Sequence, residues 1–473
     1  MNTTHATWVY TLALGALLPA WLHADDDASK QLNTTLAMYQ TMLTYAPNNA
    51  DTHYRIGHLL CRLERYDESC THLQNAIELQ PKHISALLEL ANICTMLDQS
   101  EKSLELYQRV LELLPNARAP LYNYGYTLKR LGRFQEAIEV YNKVIDQEPD
   151  YALAHFGRAV SYLTLGDFEH GWPDYEWRWK AYDEPLPVYE QPRWDGSDPA
   201  GKRILMYAEQ GLGDTLQFIR YAQLLKERGA YVIFQAQKPL KTLLSRCDYL
   251  DVVIAPHDVI PPFDVHIPLM SLPFLCGTRL ATVPASIPYI TADPELVALW
   301  KQYLDKDPNF KIGICWQGNA FYTNQFLRQA VAAKSMTVHT FAPIGRLPGV
   351  SLYSLQKISG TEQLATLEGF SVHEFGPDFD ESHGRFMDTA AVICNLDLII
   401  TVDTSIAHLA AALRKPVWMP LPQPADWRWM LERADTPWYP NMRLFRQTTP
   451  GDWESVMMHI ANDIKGILCF GKK

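Results

Sequence analysis

Hydrophobic and polar positions in the first third of the chain recur with a period of 34 residues. Four positions one period apart carry a large side chain: Tyr54, Leu88, Tyr122 and Phe156. Three residues further on, the same four units carry a small one: Gly57, Ala91, Gly125 and Ala159. Proline and leucine keep the same spacing, at Pro47, Pro81, Pro115 and Pro149 and at Leu63, Leu97, Leu131 and Leu165. This repetition predicts a series of identical helical units.

A 34-residue period with small and large residues in fixed phase is typical of tetratricopeptide helix-turn-helix repeats. Proline closes each unit because it cannot continue a helix. One helix pair cannot bury its apolar face alone, so several pairs must stack. We therefore predict an α-helical solenoid over residues 30–170, with a lone helix near 33–45 before the first repeat. Such arrays bind peptides or proteins, so the sequence predicts a protein partner.

From residue 203 the pattern changes to short apolar runs that alternate with helix-like segments. Predicted strands are 203–208, 231–235, 311–316, 350–355, 398–402 and 416–419, and the first is followed by a predicted helix over 214–228. This alternation indicates βαβ units and parallel sheets. We predict two Rossmann-type lobes, a short one over 201–295 and a second over 308–467. Ligands of such sheets bind at the carboxyl ends of the strands.

Two further segments flank these regions. Residues 171–200 are rich in tryptophan and proline, and we interpret them as an ordered connector, with an aromatic ligand platform as the alternative. The apolar run 8–18 before His23 and Ala24 resembles a signal-peptide core, although no basic residue precedes it. Residues 1–24 are therefore either a signal peptide or a disordered or helical N-terminus.

Composition excludes several classes of protein. The formal net charge is −11, and no basic run is present, which argues against a protein that wraps nucleic acid. No segment reaches the ~18 uninterrupted apolar residues of a membrane-spanning helix. The eight cysteines show neither CxxC nor zinc-type spacing. We expect a cytoplasmic location, with export through the N-terminal segment as the alternative.

The first candidate site follows the first predicted strand of the α/β region. In Glu209-Gln-Gly-Leu-Gly-Asp214, Gly211 and Gly213 allow the backbone to approach a ligand, and Asp214 stands at the start of the next helix. The sequence alone leaves two interpretations of this aspartate open. It either performs chemistry or caps the helix, a contact worth ~1 kcal/mol.

The second candidate site follows a later strand. That strand ends at Asp403, after which Thr404 and Ser405 open an alanine-rich helix. Unpaired amides at such a helix start, with two hydroxyl groups beside them, favour a diphosphate. His408 lies one turn further along, where it either faces the same cleft or packs in the core.

These two motifs carry a family resemblance. Residues 201–465 resemble glycosyltransferase family 9, the heptosyltransferase-like enzymes of the GT-B fold. The Gly-Leu-Gly-Asp214 turn is similar to the family's first-lobe loop, and the segment from Asp403 to Leu413 is similar to its donor motif. Residues 30–465 together resemble bacterial tetratricopeptide proteins with such a domain, as do these further motifs: Trp177-Arg-Trp179, Pro268-Leu-Met-Ser-Leu-Pro273, Asp426-Trp-Arg-Trp429, Trp438-Tyr-Pro440 and Gly451-Asp-Trp453.

The resemblance implies transfer of a sugar from a nucleotide-sugar donor, which is a substrate, with no cofactor and no obligatory metal. Asp214 would be the general base that takes the proton of the acceptor hydroxyl. The implied donor and substrate contacts are Gly211, Gly213, Trp316, Lys334, Asp403, Thr404, Ser405 and His408.

Departures from the family favour a second hypothesis. The first lobe has only about 90 residues, residues 321–333 read as a long aromatic loop, and Lys334-Ser335 stands where related proteins tend to have Arg-Ser. A non-catalytic scaffold with a degenerate GT-B domain, with or without nucleotide binding, is therefore the alternative. The O-GlcNAc transferase class also joins these repeats to a GT-B domain, which is an analogy of architecture.

Overall fold

The computed structural model describes residues 26–182, 185–321 and 325–470, so the predicted N-terminal segment 1–24 lies outside the described residues. The described chain forms two compact units. A helical unit comprises residues 26–165 and 173–182, and an α/β unit comprises residues 166–172 and 185–470.

The helical unit is an array of short helices joined by tight turns. Its helices are α1 Asp26–Tyr45, α2 Ala50–Arg62, α3 Tyr66–Leu79, α4 Ile84–Met96, α5 Ser100–Leu113, α6 Arg118–Arg130, α7 Phe134–Gln147, α8 Ala152–Thr164, α9 Phe168–Tyr175 and α10 Arg178–Ala181. Residues 168–172 of α9 belong to the α/β unit. Consecutive helices from α1 to α8 pack against each other, which confirms the predicted solenoid. The predicted lone helix is longer than expected, because α1 begins at Asp26.

The small residues of the repeat accept a large residue from a neighbouring helix. A Cβ atom on Gly57 would lie 2.7 Å from Cγ of Leu73, and one on Gly125 would lie 3.0 Å from the Tyr141 ring. The large residues recur one period apart and are almost fully buried: Leu73, Tyr107, Tyr141 and Tyr175. Tyr141 also reaches the next repeat, where a Cβ on Gly157 would lie 2.6 Å from its ring. The 34-residue period of the sequence is therefore the interval at which equivalent large residues pack between neighbouring helices.

A larger side chain at one of these small positions should destabilise the array. We expect Gly157→Val to lower the free energy of unfolding of the helical unit by about 1–3 kcal/mol, because the buried Tyr141 ring cannot yield to the added methyl groups. Thermal unfolding followed by circular dichroism measures the change.

Gly466→Val is the matched control, since nothing lies within 4 Å of a Cβ on this helical glycine of the other unit. Equal effects of the two substitutions on the transition of the array would contradict the packing role.

The α/β unit contains ten strands in two parallel sheets. The strands are β1 Arg203–Tyr207, β2 Tyr231–Gln235, β3 Val252–Ile254, β4 Val265–Pro268, β5 Phe310–Cys315, β6 Val350–Ser354, β7 Val372–His373, β8 Leu398–Thr401, β9 Val417–Leu421 and β10 Met442–Arg446. The first sheet has the order β3-β2-β1-β4, and the second has the order β10-β9-β8-β5-β6-β7. Every pairing between these strands is parallel, which confirms the predicted Rossmann-like class.

The helices of this unit connect the strands. They are α11 Leu212–Phe218, α12 Arg220–Glu227, α13 Lys241–Leu244, α14 Leu272–Leu275, α15 Pro294–Leu304, α16 Gln325–Ala333, α17 Ala342–Gly345, α18 Met387–Asn395, α19 Ser405–Ala412 and α20 Trp453–Phe470. Short 3-10 turns complete the connections, at Lys238–Leu240, Leu269–Ser271, Leu280–Thr282, Val338–Phe341, Thr361–Thr366 and Trp427–Trp429.

Two local predictions were wrong. The helix predicted over 214–228 is two helices, α11 and α12, which meet at Ile219. The segment 321–333, predicted as a loop, contains the helix α16. Its apolar residues recur at helical rather than random spacing, and no glycine or proline interrupts them.

Two neighbouring segments pack within the α/β unit. In the connector, Trp194 donates its backbone N–H to His266 O at 2.8 Å, so this stretch lies along the β4 edge of the first sheet. Phe168 and Trp172 contact the ring of Trp438.

Among the described residues, no helix is both long and apolar enough to cross a membrane.

The topology places the start of α11 directly after β1 and the start of α19 directly after β8. These two helices pack against each other. The residues that follow the carboxyl end of a central strand in each sheet therefore lie close together.

Candidate functional site

The two sequence motifs meet at Gly213. A Cβ atom on Gly213 would lie 3.0 Å from Cδ2 of His408 and 3.7 Å from Cα of Ser405. The close approach of α19 favours glycine at this position, because a Cβ atom would press on the His408 ring. The structure therefore brings the Gly211–Asp214 turn and the Asp403–His408 segment together.

Asp214 is held by groups on both sides. It is the third residue of α11, and its Oδ2 accepts the Gly211 N–H at 2.7 Å. Its Oδ1 accepts from Nη2 of Arg428 at 2.5 Å. Burial raises the pKa of Asp214, and the Arg428 guanidinium and the Gly211 N–H oppose this rise. The capping contact considered from the sequence is present, and it leaves Oδ1 directed toward the second lobe.

Arg428 links the two lobes. Its side chain is 6% exposed and donates from Nε to Gln217 Oε1 at 2.8 Å and from Nη1 to Asp426 Oδ1 at 2.9 Å. Its guanidinium lies 4.4 Å from the centre of the Trp427 ring. A single buried cation thus compensates two carboxylates, Asp426 of its own lobe and Asp214 of the other.

A second charge group involves Asp403. Nζ of Lys334 lies 3.5 Å from Asp403 Oδ2, and Nε2 of His408 lies 3.9 Å from Asp403 Oδ1. Burial lowers the pKa of Lys334, but Asp403, Asp426 and Asp214 raise it by more, so the net shift is upward. Lys334 is therefore an ammonium group at neutral pH, available to an anionic ligand only in competition with Asp403.

Thr404 and Ser405 stand at the start of α19. Thr404 is the N-cap residue, and its hydroxyl lies 3.1 Å from that of Thr401 and 3.7 Å from the Cys315 thiol. Ser405 is the first helical residue and is half-buried. Both predicted diphosphate contacts thus lie at the helix start, next to Asp403.

His408 is buried, with 5% of its side chain exposed. Its Nδ1 lies 2.9 Å from the hydroxyl of Tyr439, and its ring stacks on Trp429 at 5.5 Å. Burial lowers the pKa of His408 well below the usual range, and the cations Arg428, Arg220 and Lys334 lower it further. The histidine is therefore a neutral imidazole at physiological pH.

Trp316, predicted as a donor contact, does not join these residues. Its side chain is fully buried in the core of the second lobe, in a cluster that includes Ile312, Val338 and Phe341. Trp316 directly follows the apolar strand β5, and its indole continues the hydrophobic face of that strand. Its role in the structure is packing.

Sequence reasoning missed several polar residues of the site: Gln217, Arg220, Tyr289, Asp426, Arg428 and Tyr439. Arg220 is 2% exposed and donates to Tyr289 Oη at 2.8 Å and to the Trp438 carbonyl at 2.6 Å. A signal was present in the Asp426-Trp-Arg-Trp429 motif, because charged residues among tryptophans are buried only when they are paired. The partner could not be read from the sequence, since Asp214 lies 214 positions away.

The arrangement can bind an anion and accept a proton. Three carboxylates, Asp214, Asp403 and Asp426, alternate with the cations Lys334 and Arg428 around the start of α19. Within the described ranges, no group of three or more His, Cys, Asp or Glu side chains is placed to hold a metal ion.

Known protein families match three parts of the chain. Models of the tetratricopeptide repeat match residues 48–116 and 125–166, and the model of glycosyltransferase family 9 (heptosyltransferase) matches residues 385–418. The chain combines tetratricopeptide repeats with a glycosyltransferase family 9-like region. The matched segment contains Asp403, Thr404, Ser405 and His408, whereas Asp214 lies outside it.

Individual proteins are also similar. Protein FlbA of Caulobacter vibrioides is 28% identical over 343 residues, which are 67% of this chain and 55% of FlbA, so the match spans about half the length of that relative. Among solved structures, MamA is 19% identical, covers 34% of this chain and 97% of its own, and has a TM-score of 0.31. YrrB, described as a TPR protein with an unusual peptide-binding site, is 22% identical, covers 33% of this chain and 81% of its own, and has a TM-score of 0.31.

Removing the cation at Arg428 should destabilise the fold, because two buried carboxylates would lose their positively charged partner. We expect Arg428→Gln to lower the free energy of unfolding at pH 7.5 by about 3–5 kcal/mol, because Asp214 and Asp426 lose their buried partner. Burial already holds the folded-state pKa of Asp214 above its usual value, and loss of the guanidinium raises it further, so the loss of stability shrinks as the pH falls and the carboxylate is protonated. Urea unfolding at pH 7.5 and pH 5 measures both effects.

Arg433→Gln is the control, because Arg433 and Asp435 form a more exposed ion pair in the same lobe, worth at most about 1 kcal/mol. A loss for Arg428→Gln that is equal at both pH values would mean that the arginine acts through packing alone.

Proposed function

We propose that this protein transfers a sugar from a nucleotide-sugar donor to an acceptor hydroxyl, with its repeats recruiting a protein partner. The family 9 match and the repeats support a glycosyltransferase with tetratricopeptide repeats. We further propose that the two lobes have a GT-B arrangement, that transfer needs no metal and that individual residues have the following roles. The observation that carries it is the approach of the Asp214 turn to the Asp403–His408 helix start.

In this proposal the donor diphosphate binds at the start of α19. Unpaired amides at a helix start favour negative charge, and Thr404 and Ser405 add hydroxyl donors beside them. Lys334 supplies a cation that exchanges its contact with Asp403 for one with a phosphate oxygen. These groups stabilise the charge that develops on the leaving nucleotide, which is the task a metal performs in other transferases.

Asp214 is proposed as the general base. A carboxylate offers about four acceptor sites, and Gly211 and Arg428 use two of them, so Asp214 can still accept the proton of an acceptor hydroxyl. Burial makes its carboxylate more basic than an exposed one, which suits proton abstraction near neutral pH. Arg428 keeps the group ionised before the acceptor binds.

We propose a cytoplasmic location, with export through the N-terminal segment as the alternative. All eight cysteines lie in the part of the chain that the structure describes, and each is a free thiol. Free thiols are the rule in reducing compartments and unusual in exported proteins.

Transfer assays with a panel of UDP-, GDP- and ADP-sugars test the activity. We expect Asp214→Asn to lower kcat by at least about 100-fold, the usual contribution of a general base, with little change in donor affinity. The control is Asp258→Asn, since Asp258 also caps a backbone N–H (of Ala255) and pairs with a lysine, but it follows β3. If wild type and Asp214→Asn transfer equally with every donor that turns over, Asp214 is not the base.

One observation favours the second hypothesis, a scaffold without turnover. Both oxygens of Asp214 are engaged by groups of the chain, and Lys334 is paired with Asp403, so the charged groups of the site already have partners within the chain. Calorimetry with UDP, GDP and ADP separates a nucleotide-binding domain from a scaffold that binds no nucleotide. Micromolar binding that Ser405→Tyr abolishes supports the transferase site, whereas no binding of any nucleotide favours the scaffold.

A further inference from the structure

We propose that Tyr439 is a positioning residue that fixes His408 as a neutral imidazole with its proton on Nε2. In that form His408 donates a hydrogen bond to an anionic oxygen of the donor and takes no part in proton transfer. The inference rests on the proposed function for its ligand, but the state of the imidazole is a property of the chain itself.

The two ring nitrogens of His408 face different partners. Nδ1 lies 2.9 Å from Tyr439 Oη. Nε2 lies 3.9 Å from the Asp403 carboxylate and 3.5 Å from the Cβ position of Gly213. A bare lone pair on Nε2 would face a carboxylate at this distance, whereas an N–H there is attracted to it. Asp403 therefore favours the proton on Nε2.

The hydroxyl of Tyr439 is a suitable donor to the other nitrogen. Its alternative acceptor is Tyr289 Oη, which lies farther away, at 3.3 Å. That hydroxyl already accepts from Arg220 Nη2 at 2.8 Å and lies 2.8 Å from the Leu216 carbonyl, a group that can only accept. Tyr289 thus donates to Leu216, and Tyr439 is left to donate to Nδ1 of His408.

The groups around the ring also oppose a second proton. Three cations face it from three elements: Lys334 after α16, Arg220 on α12 and Arg428 after β9. The acidic groups near it are Asp403 and Asp426, which pair with Lys334 and Arg428 respectively. An imidazolium would have to donate from Nδ1 and reverse the Tyr439 hydroxyl. The neutral form with Nε2–H satisfies every contact.

Tyr439 itself is held in place by the first lobe. The guanidinium of Arg220 lies 4.4 Å from the Tyr439 ring and 4.5 Å from the Tyr289 ring, and it also donates to the Trp438 carbonyl. Tyr439 is fully buried. The hydroxyl that fixes His408 is therefore oriented only while the two lobes are in contact. Donor recognition by the second lobe depends in this way on a residue of the first.

The state of His408 can be read directly by nitrogen NMR of protein labelled with ¹⁵N-histidine. We expect the His408 signals, assigned by their loss in His408→Asn, to show a protonated Nε2 and an unprotonated Nδ1, unchanged from pH 5.5 to 8. In Tyr439→Phe the Nδ1 signal should shift and nucleotide affinity should fall about tenfold, because the ring loses the hydrogen bond that orients it. Tyr249→Phe is the matched control, since it removes another buried tyrosine hydroxyl, one bonded to the Tyr289 carbonyl.

The outcomes are distinct. A wild-type proton on Nδ1, an imidazolium at pH 7, or a His408 spectrum unchanged by Tyr439→Phe would overturn the inference. The expected spectrum with no binding of any nucleotide would contradict the proposed function while leaving the Tyr439–His408 assignment supported. Nucleotide binding and sugar transfer with an imidazolium at His408 would support the proposed function and contradict the Tyr439–His408 assignment.

Discussion

The close approach of α11 to α19 is the constraint on which the α/β unit depends. A Cβ atom at Gly213 would press on the His408 ring, and the Ser405 backbone lies in van der Waals contact with the same position. Two helices that start at the carboxyl ends of separate sheets are therefore brought into contact at their first turns. Polar groups that usually face solvent or ligand at such ends face each other.

That contact buries carboxylates that need a positively charged partner, and Arg428 is that partner. Burying Asp214 and Asp426 without a cation would cost several kcal/mol. Arg428 compensates both, and the stacked Trp427 ring and Gln217 fix the plane of the guanidinium. The carboxylates of the site are thus paired with cations of the same site. Any ligand that enters the site has to replace these contacts by equally good ones.

The sequence predicted most of the fold and about half of the site. The repeats were predictable because a packing contact such as Gly57 against Leu73 recurs at fixed spacing along the chain. Six of the ten parallel strands were predicted, namely β1, β2, β5, β6, β8 and β9, because they are apolar and largely buried. The break at Ile219 was not, since the apolar spacing continues through it. Arg428 and Tyr439 were not assigned roles, because their partners lie in other elements and only the tertiary fold brings them together.

Tyr141 shows what the repeat architecture permits over evolution. Its ring fills the recess beside Gly125 in its own repeat and the recess beside Gly157 in the next. An insertion of a few residues within a helix would rotate one recess away from the ring, whereas an insertion of one whole period would keep the spacing of the large and small positions. The array can therefore grow or shrink only in complete units, and its length can be adjusted to a new partner without redesign of its core.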